Sequence, residues 1–597
     1  MRKFLILSAL VISLVSGSLI HGAARPAPKK STKKSRPVEK PAVVRRWLSS
    51  MTLSQKVAQL IMIAFSGEVQ NTRSRQYRRF VRLVRDERVG GLVLINITSR
   101  GIRHAEPYAL AAFLNRMQRM AKVPLIVAGD FERGASMRVD STTLFPHAMA
   151  FAASGDPEAT KFSGEITARD SRALGVHWVF FPVADVNSNP DNPIINIRSF
   201  GESPQDVAAH VRAFIEGSRA DSKSKVLTTA KHFPGHGDTA VDSHLALSTI
   251  QSDKAHLESV ELVPFRAAIE AGVDSIMTAH IGVPALDTPD TPATLSTAIM
   301  TGLLRDELKF PGLVVTDALE MGGIAKGYSS GEAAVRALEA GADVLLMPAD
   351  PDAAIKAVLA AIRSGRLTMK RIDQSVTKIL AAKQSVGLDR AKLVDLEAIA
   401  DVVNTPEAAA RAQEIAERAV TLVKNDGGIV PLRNPASACF VVLAEGRYSV
   451  QGQAILQELQ RRTTGGKIFA LDPVMPESEI EAAGQKAIAC EEIVVAAFAS
   501  VAAFRGNLAL PGPFPKLVET LIASGRPVTL VALGSPYLAR SFPGVSAYLT
   551  TYSPVPTSEI AAVRALFGEI DIGGRLPVRI PGVADLGFGI SVPKRAR

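Results

Sequence analysis

The chain has 597 residues, of which 47% are hydrophobic and 21% are charged, and its formal net charge is +11 at pH 7. This length predicts at least two large domains, and the composition is typical of soluble globular proteins. Most of the excess positive charge lies before residue 47, which leaves about one net positive charge on the remainder. A nucleic acid substrate is therefore excluded, because it would require a basic face on the folded domains.

The first 24 residues have the composition of a secretory signal peptide. Arg2 and Lys3 precede an apolar run at 4–20, and small residues follow at 22–24. This order predicts export to the periplasm or the medium, followed by cleavage. An uncleaved membrane anchor is the alternative, because the run approaches the ~18 residues that a spanning helix needs. The Lys- and Pro-rich residues 25–44 predict a disordered linker, with contact to an anionic wall or lipid surface as a weaker alternative.

Residues 45–388 predict an α/β domain of the (β/α)₈ TIM-like barrel type. Short β-rich runs alternate there with amphipathic stretches of helical length, such as 204–220, 257–271, 298–308 and 351–364. Eight such runs separated by helices are typical of a parallel barrel. The runs are 60–65, 91–95, 125–128, 178–183, 226–230, 275–279, 313–316 and 344–347.

Polar or ionisable residues follow several of these runs closely. They are Asp130, Glu132, Asp185, Asn187, Lys231, His232, His280 and Asp317. Loops are polar in general, so any one of these residues could lack a function. Together they predict an active site at the carboxyl ends of the barrel strands.

The segment 231–244 is the most informative part of the chain. It contains three of the ten histidines, and Pro234, Gly235 and Gly237 indicate a long loop that leaves the strand end at Ala230. A metal site built from His232, His236, Asp238, Asp242 and His244 is one hypothesis. It is disfavoured because histidines four residues apart share a face only on a helix. We therefore expect neither a metal nor another cofactor.

Acid/base chemistry is the alternative for this loop. Residues i and i+2 of an extended segment project to the same side, so Asp242 can bind one imidazole nitrogen of His244 and leave the other for a substrate. Asp317 directly follows the apolar run 313–316, which would hold it rigidly at the barrel mouth. Capping of the next helix is the structural alternative for Asp317. A nucleophilic carboxylate with an acid/base partner is the machinery of retaining glycosidases.

Residues 389–410 lack a strong pattern and predict an interdomain linker, after which 411–597 predict an α/β sandwich domain. Strands are expected at 440–443, 493–498, 528–533 and 547–551, with helices at 514–524 and 560–567. Cys439 and Cys490 are the two cysteines of the chain. They could form a disulfide bond in an exported protein or remain as buried thiols.

The chain resembles glycoside hydrolase family 3, specifically its bacterial β-N-acetylhexosaminidases. In the first domain the resemblance is carried by 192–202, the KHFPGHGDT loop at 231–239, the Asp-Ser-His triplet at 242–244, and the segments 277–280 and 315–319. In the second domain it is carried by 422–425, 431–432, 565–569 and 574–577. The match covers nearly the whole exported chain, and the 231–244 motif is highly specific.

The resemblance implies that Asp317 is the nucleophile, that His244 is the acid/base and that Asp242 is its dyad partner. It also implies sugar-binding roles for Asp130, Arg198, Lys231 and His232. Residues 130–138 depart from the family pattern, because Arg133 stands where a glycine is expected and 135–137 separate Gly134 from Arg138. The contacts to O4 and O6 of the sugar are the ones that this departure affects.

The expected substrate is a carbohydrate with a terminal N-acetylglucosamine, in peptidoglycan fragments or chitooligosaccharides. A β-glucosidase or β-xylosidase of the same family, a β-N-acetylglucosaminide phosphorylase and a non-catalytic wall-binding protein are the alternatives. The Asp-Ser-His triplet disfavours the first of these, since those enzymes are expected to use a carboxylate as acid/base. The oligomeric state is left open by the sequence.

Overall fold

The computed structural model describes residues 41–67, 71–98, 101–463, 467–501 and 508–596. The predicted signal peptide and most of the predicted basic linker lie outside these residues. Within them, no helix is both long and apolar enough to cross a membrane.

The first domain is a closed barrel of eight parallel strands, as predicted. Each strand pairs in parallel with the next one along the chain, and a bridge between Val315 and Val344 joins the seventh strand to the eighth. The eighth strand pairs in parallel with the first, which closes the barrel. The strands are β1 Ile61–Phe65, β2 Gly91–Leu94, β3 Ile126–Gly129, β4 Trp178–Val179, β5 Leu227–Phe233, β6 Ser275–Thr278, β7 Leu313–Thr316 and β8 Leu345–Leu346.

Helices surround the barrel and connect its strands. Ser203, Ser329 and Thr368 each begin a helix by accepting a backbone N–H through the side-chain oxygen, which satisfies a donor that has no partner within the helix. The main helices are Ala42–Ser49, Leu53–Ala58, Arg75–Arg82, Pro107–Met120, Ala148–Ala153, Pro157–Ala173, Pro204–Gly217, Leu262–Glu270, Ala298–Glu307, Gly322–Ala325, Ser330–Ala340, Pro351–Arg363 and Met369–Ser385.

Strand β5 extends further than its apolar run predicts. Lys231, His232 and Phe233 belong to the strand, so the loop begins after Phe233 and not at Ala230. The pairing with β6 shifts register between Lys231 and Phe233, which makes His232 the extra residue of a β-bulge. Because a regular strand sends neighbouring side chains to opposite faces, the bulge explains how Lys231 and His232 can both reach the barrel mouth.

The second domain is a six-stranded sheet with helices on both faces, in agreement with the predicted sandwich. Its strands are β9 Thr421–Asn425, β10 Ala438–Leu443, β11 Lys467–Leu471, β12 Glu492–Ala499, β13 Val528–Gly534 and β14 Ala547–Thr550. The order is β9-β14-β13-β12-β10-β11, and only β9 runs antiparallel to its neighbour. The helices are Pro406–Ala419, Gln453–Arg462, Glu477–Ile488, Phe514–Ala523 and Pro556–Leu566.

The two faces of this sheet pack into separate cores. Val441 and Val495 pack with the helices at 477–488 and 514–523, whereas Val442 and Val494 pack with those at 453–462 and 556–566. Cys439 at the start of the sheet's β10 forms a disulfide bond with Cys490, which follows a helix of the first face. The disulfide is thus the correct one of the two alternatives that the sequence left open.

Candidate functional site

Asp317 lies at the carboxyl end of β7, inside the barrel mouth. Its backbone N–H donates to the carbonyl of Thr278 at 3.2 Å, and its Oδ1 accepts the N–H of Ala318 at 2.7 Å. The side chain does not cap a helix, because the next helix begins at Gly322 without a side-chain cap. The capping alternative is therefore wrong.

The electrostatic surroundings keep the Asp317 carboxylate ionised. Burial by itself would raise its pKa, but the imidazoles of His232, His280 and His244 outweigh burial and lower the pKa to about 2. A carboxylate that stays charged throughout the physiological pH range, held at the end of a rigid strand, has the properties of a nucleophile.

His244 and Asp242 form a close pair. The Nδ1–H of His244 donates to Oδ1 of Asp242 at 2.8 Å, and the backbone N–H of His244 donates to the same oxygen at 2.9 Å. The Asp242 side chain is 1% exposed and that of His244 is 24% exposed. The arrangement orients the ring, fixes its tautomer and directs Nε2 away from the carboxylate.

Asp185, which follows β4, organises the start of the loop. Its Oδ2 accepts the Nδ1–H of His232 at 2.7 Å, and its Oδ1 accepts the backbone N–H groups of His232 at 3.0 Å and His236 at 2.8 Å. This fully buried carboxylate therefore fixes both the tautomer of His232 and the direction in which the chain leaves the strand.

His236 has a structural role. Its Nε2 contacts Oγ of Ser243 at 2.9 Å and its Nδ1 contacts Oγ1 of Thr239 at 2.7 Å, so both ring nitrogens are used. Burial lowers its pKa to about 4, which keeps the ring neutral at physiological pH. In the part of the chain that the structure describes, no three or more His, Cys, Asp or Glu side chains are placed to hold a metal ion.

A charged wall of two cations and two carboxylates lies beside the mouth, with Lys231 and Glu132 buried and Arg198 and Asp130 partly buried. Lys231 Nζ lies 2.9 Å from Asp130 Oδ1 and 2.8 Å from Glu132 Oε1. Arg198 binds Glu132 with two hydrogen bonds of 2.9 and 2.8 Å. Such a bidentate pair is among the most directional contacts available to an arginine.

Lys231 and Glu132 stay charged despite their burial. Burial opposes ionisation of Lys231, but Asp130 and Glu132 outweigh it and raise the lysine pKa. Burial likewise opposes ionisation of Glu132, but Arg198 and Lys231 lower its pKa well below the ordinary value. The wall therefore presents fixed charged donors and acceptors, which suit the hydroxyl groups of a sugar.

Arg133, the residue at which the sequence departs from the family pattern, lies next to this wall. Burial and the charge of Arg138 lower its pKa to about 10, so it remains a cation at neutral pH. Arg138 lies 3.4 Å from Asp130, and the backbone carbonyl of Arg133 accepts a hydrogen bond from Oγ of Ser136 at 3.0 Å. The 130–138 loop thus adds positive charge to the end of the site that holds Asp130.

Three further residues shape the site beyond those assigned from the sequence: Glu132, Asp185 and His280. His280 follows β6, and its Nε2 donates to the carbonyl of Ala318 at 3.0 Å, which braces the turn after Asp317. In the sequence, each of the three residues closely follows an apolar run that is predicted to be a barrel strand. This position is the sequence feature that marks them as candidates for the site. The partners described above, which are Ala318 for His280, His232 for Asp185, and Arg198 and Lys231 for Glu132, lie 38 to 99 residues away along the chain, so the pairings needed the fold.

The second domain packs against the loops that carry the site. Nδ1 of His147 contacts Oγ of Ser553 at 2.8 Å, and Nδ2 of Asn187 donates to Oη of Tyr537 at 2.9 Å. The backbone N–H of Glu202 donates to the carbonyl of Pro577 at 3.0 Å. The contacts of Asn187 and Glu202 brace the segment 187–202, which contains Arg198, from outside the barrel.

Comparison with known proteins agrees with this architecture. Residues 52–382 match the family model "Glycosyl hydrolase family 3 N terminal domain", and residues 420–592 match "Glycosyl hydrolase family 3 C-terminal domain". The chain belongs to glycoside hydrolase family 3. The resemblance drawn from the sequence is thereby confirmed, and the protein is a glycoside hydrolase.

Relatives within family 3 resemble the chain over most of its length. A β-N-acetylglucosaminidase/β-glucosidase of Cellulomonas fimi is 34% identical over 400 residues, which are 66% of this chain and 68% of that one. The structure of a family 3 β-N-acetylglucosaminidase from Paenibacillus sp. str. FPU-7 matches with a TM-score of 0.77 and 32% identity, over 89% of this chain and 99% of that one. The structure of the β-glucoside phosphorylase BglX bound to 2FGlc matches with a TM-score of 0.79 and 25% identity, over 90% of this chain and 96% of that one.

Proposed function

We propose that the protein is a retaining, exo-acting β-N-acetylhexosaminidase that hydrolyses terminal N-acetylglucosamine from oligosaccharides. The observation that carries the proposal is the Asp242–His244 pair, presented at the barrel mouth beside the ionised Asp317. The names of the Cellulomonas and Paenibacillus relatives support the substrate class.

In the first step of the proposed reaction, a carboxylate oxygen of Asp317 attacks the anomeric carbon. The bond from that carbon to the leaving oxygen breaks, and the imidazolium of His244 gives its Nε2 proton to the leaving oxygen. Asp242 orients the ring for this transfer, because its carboxylate accepts the Nδ1–H at 2.8 Å and leaves Nε2 for the substrate. The products are a glycosyl ester on Asp317 and the shortened saccharide.

In the second step, water attacks the anomeric carbon from the side that the leaving group vacated. His244 Nε2 takes a proton from the water, the bond to Asp317 breaks and the carboxylate is restored. Two inversions at one carbon give net retention of configuration. Asp130, Arg198, Lys231 and His232 hold the sugar hydroxyl groups during both steps.

A β-glucosidase or β-xylosidase specificity is the first alternative, and the name of the Cellulomonas relative includes β-glucosidase activity. The presence of a histidine with a buried carboxylate partner argues for the hexosaminidase assignment. A wall-binding protein without catalysis is disfavoured, because the low pKa of Asp317 and the oriented imidazole are properties that sugar binding does not require.

Phosphorolysis is a second candidate, favoured by the chemistry of His244. A neutral or cationic imidazole repels inorganic phosphate less than a carboxylate would, so phosphate could replace water as the acceptor. The match to the β-glucoside phosphorylase is in line with this possibility. Formation of a sugar 1-phosphate in phosphate buffer would establish phosphorolysis, and release of free sugar alone would establish hydrolysis.

We further propose export through the signal peptide at 1–24, a linker at 25–44, a catalytic barrel at 45–388, a junction at 389–410 and a sandwich domain at 411–597. Helix Ala42–Ser49 begins inside the proposed linker, and helix Pro406–Ala419 begins inside the proposed junction. The proposed boundaries at 44/45 and 410/411 thus each fall inside a helix. An exported enzyme would meet peptidoglycan fragments or chitooligosaccharides.

The direct test compares chromophore release from an aryl β-N-acetylglucosaminide and from an aryl β-glucoside, with the wild type and Asp317→Ala. We expect turnover of the first substrate only, abolished by the substitution. Preference for the glucoside would contradict the substrate class, and activity that survives in Asp317→Ala would contradict the assigned nucleophile.

A further inference from the structure

Two glycines that follow the nucleophile support the loop that carries His244. The N–H of Gly322 donates to the carbonyl of His244 at 3.1 Å, and the N–H of Gly323 donates to the carbonyl of Ser243 at 3.1 Å. The acid/base loop is therefore hydrogen-bonded through its backbone to the segment that begins with Asp317.

The approach is too close for any side chain at position 322. A Cβ atom on Gly322 would lie 2.7 Å from the carbonyl oxygen of His244 and 2.8 Å from that of Leu245. Both obstacles are backbone atoms, so the loop itself would have to move. At Gly323 a Cβ atom would lie 3.1 Å from the carbonyl oxygen of Ser243, which is a milder conflict.

These glycines are needed for space and not for backbone conformation. Neither Gly322 nor Gly323 has a positive φ angle, so alanine can adopt the backbone angles of both positions. Gly327 in the same segment also lacks a positive φ angle, and a Cβ atom there would meet nothing nearer than 3.9 Å. Alanine at Gly327 is therefore a matched control.

The other end of the acid/base loop has a separate anchor. Nδ2 of Asn192 donates to the carbonyls of His236 at 2.9 Å and Gly237 at 3.0 Å. Between the two anchors, Ala240 and Val241 are exposed. The dyad is held by a side-chain hydrogen bond between Ser243 and His236 and, through its backbone, by the contact with the two glycines. The backbone of His244 itself is fixed relative to the Asp317 segment by the glycine contact.

We infer that Gly322 and Gly323 are positioning residues, which set the distance between the proton donor and the nucleophile by holding both on one segment. The inference rests on the proposed acid/base role of His244. Displacement of the loop would weaken proton transfer to the leaving oxygen, while Asp317 would keep its place at the end of β7. The fall in kcat/KM should therefore be largest for substrates whose leaving groups need a proton.

The experiment measures kcat/KM of Gly322→Ala, Gly323→Ala and Gly327→Ala on aryl β-N-acetylglucosaminides whose leaving groups range from dinitrophenol to phenol. For Gly322→Ala we expect a loss on the order of 10²-fold with phenol and less than about threefold with dinitrophenol, because only the first needs general acid catalysis. Gly323→Ala should show a smaller loss of the same kind, and Gly327→Ala should match the wild type.

A second variant distinguishes failure of the positioning role of Gly322 from failure of the acid/base role of His244. His244→Ala, measured alongside, should show the same steep dependence on the leaving group. If it does and Gly322→Ala behaves like the wild type, or loses activity equally on all substrates, the positioning role is wrong. If His244→Ala itself lacks the dependence, the proposed acid/base role is wrong.

Discussion

The substitution Glu132→Gln tests the charged wall of the site. Glu132 is buried, with its side chain 7% exposed, and it contacts two cations of which Lys231 is 2% and Arg198 is 17% exposed. Removal of its charge leaves these cations with Asp130 as their remaining carboxylate partner within the wall. Loss of one member of a buried ion pair costs about 3–5 kcal/mol of unfolding free energy.

The matched control is Glu332→Gln. Glu332 likewise contacts two cations, Arg336 at 2.8 Å and Arg366 at 3.1 Å, but these ion pairs lie at the surface, with side chains 34–48% exposed. Exposed pairs contribute about 0–1 kcal/mol. Chemical unfolding, followed by a probe of the barrel transition, should therefore separate the two variants by at least about 2 kcal/mol.

The pH dependence of the Glu132→Gln effect follows from the lowered pKa of Glu132. A carboxylate with a lowered pKa in the folded state stabilises the fold above its ordinary pKa of about 4.3, and this contribution is lost as the pH falls through the folded value. The difference between wild type and variant should be full at pH 6–8 and should shrink only below about pH 4. A loss of less than about 1 kcal/mol at pH 7 would refute the reasoning.

Three further predictions concern single contacts. Asp185→Asn removes the charged acceptor of the His232 Nδ1–H. Because a hydrogen bond to a charged group contributes about 1.5–3 kcal/mol, kcat/KM should fall by roughly 10- to 100-fold on all substrates alike. A loss confined to substrates with poor leaving groups would contradict this prediction. Asp242→Asn should instead reduce kcat/KM for phenyl substrates by about 10²-fold and spare dinitrophenyl substrates, as leaving-group kinetics will show. Cys439→Ser should lower the unfolding free energy of the second domain by about 2–4 kcal/mol, whereas an unchanged transition would mean that the disulfide bond to Cys490 does not form.

The barrel could be predicted from the sequence because its strands are buried on both faces and therefore appear as continuous apolar runs. Strands at the edge of a sheet are less buried, so their sequences show weaker apolar runs. The strand Lys467–Leu471 lies at the edge of the second sheet with mostly exposed or half-buried residues, and it was missed. Helix Ala42–Ser49 was assigned in part to the linker because Arg45 and Arg46 dominate its composition, whereas Val44 and Trp47 pack into the barrel core.

The dyad could be predicted because Asp242 and His244 are two residues apart. The wall could not, because Glu132 and Arg198 are 66 residues apart and their pairing depends on the positions of β3 and the loop after β4. The bulge at His232 was also missed, since a register shift between two strands leaves no periodic signal in either one. Local spacing thus identified the Asp242–His244 pair, and long-range pairing determined its surroundings.

The most direct test of the central proposal is to trap the glycosyl-enzyme. A fluorinated N-acetylglucosaminyl fluoride slows hydrolysis of the ester more than its formation, so incubation followed by proteolysis and mass spectrometry should locate the label. We expect one added sugar on the peptide that contains Asp317, and none in Asp317→Ala. A label on another carboxylate, or turnover of the reagent without any covalent label, would contradict the assignment of Asp317 as the nucleophile.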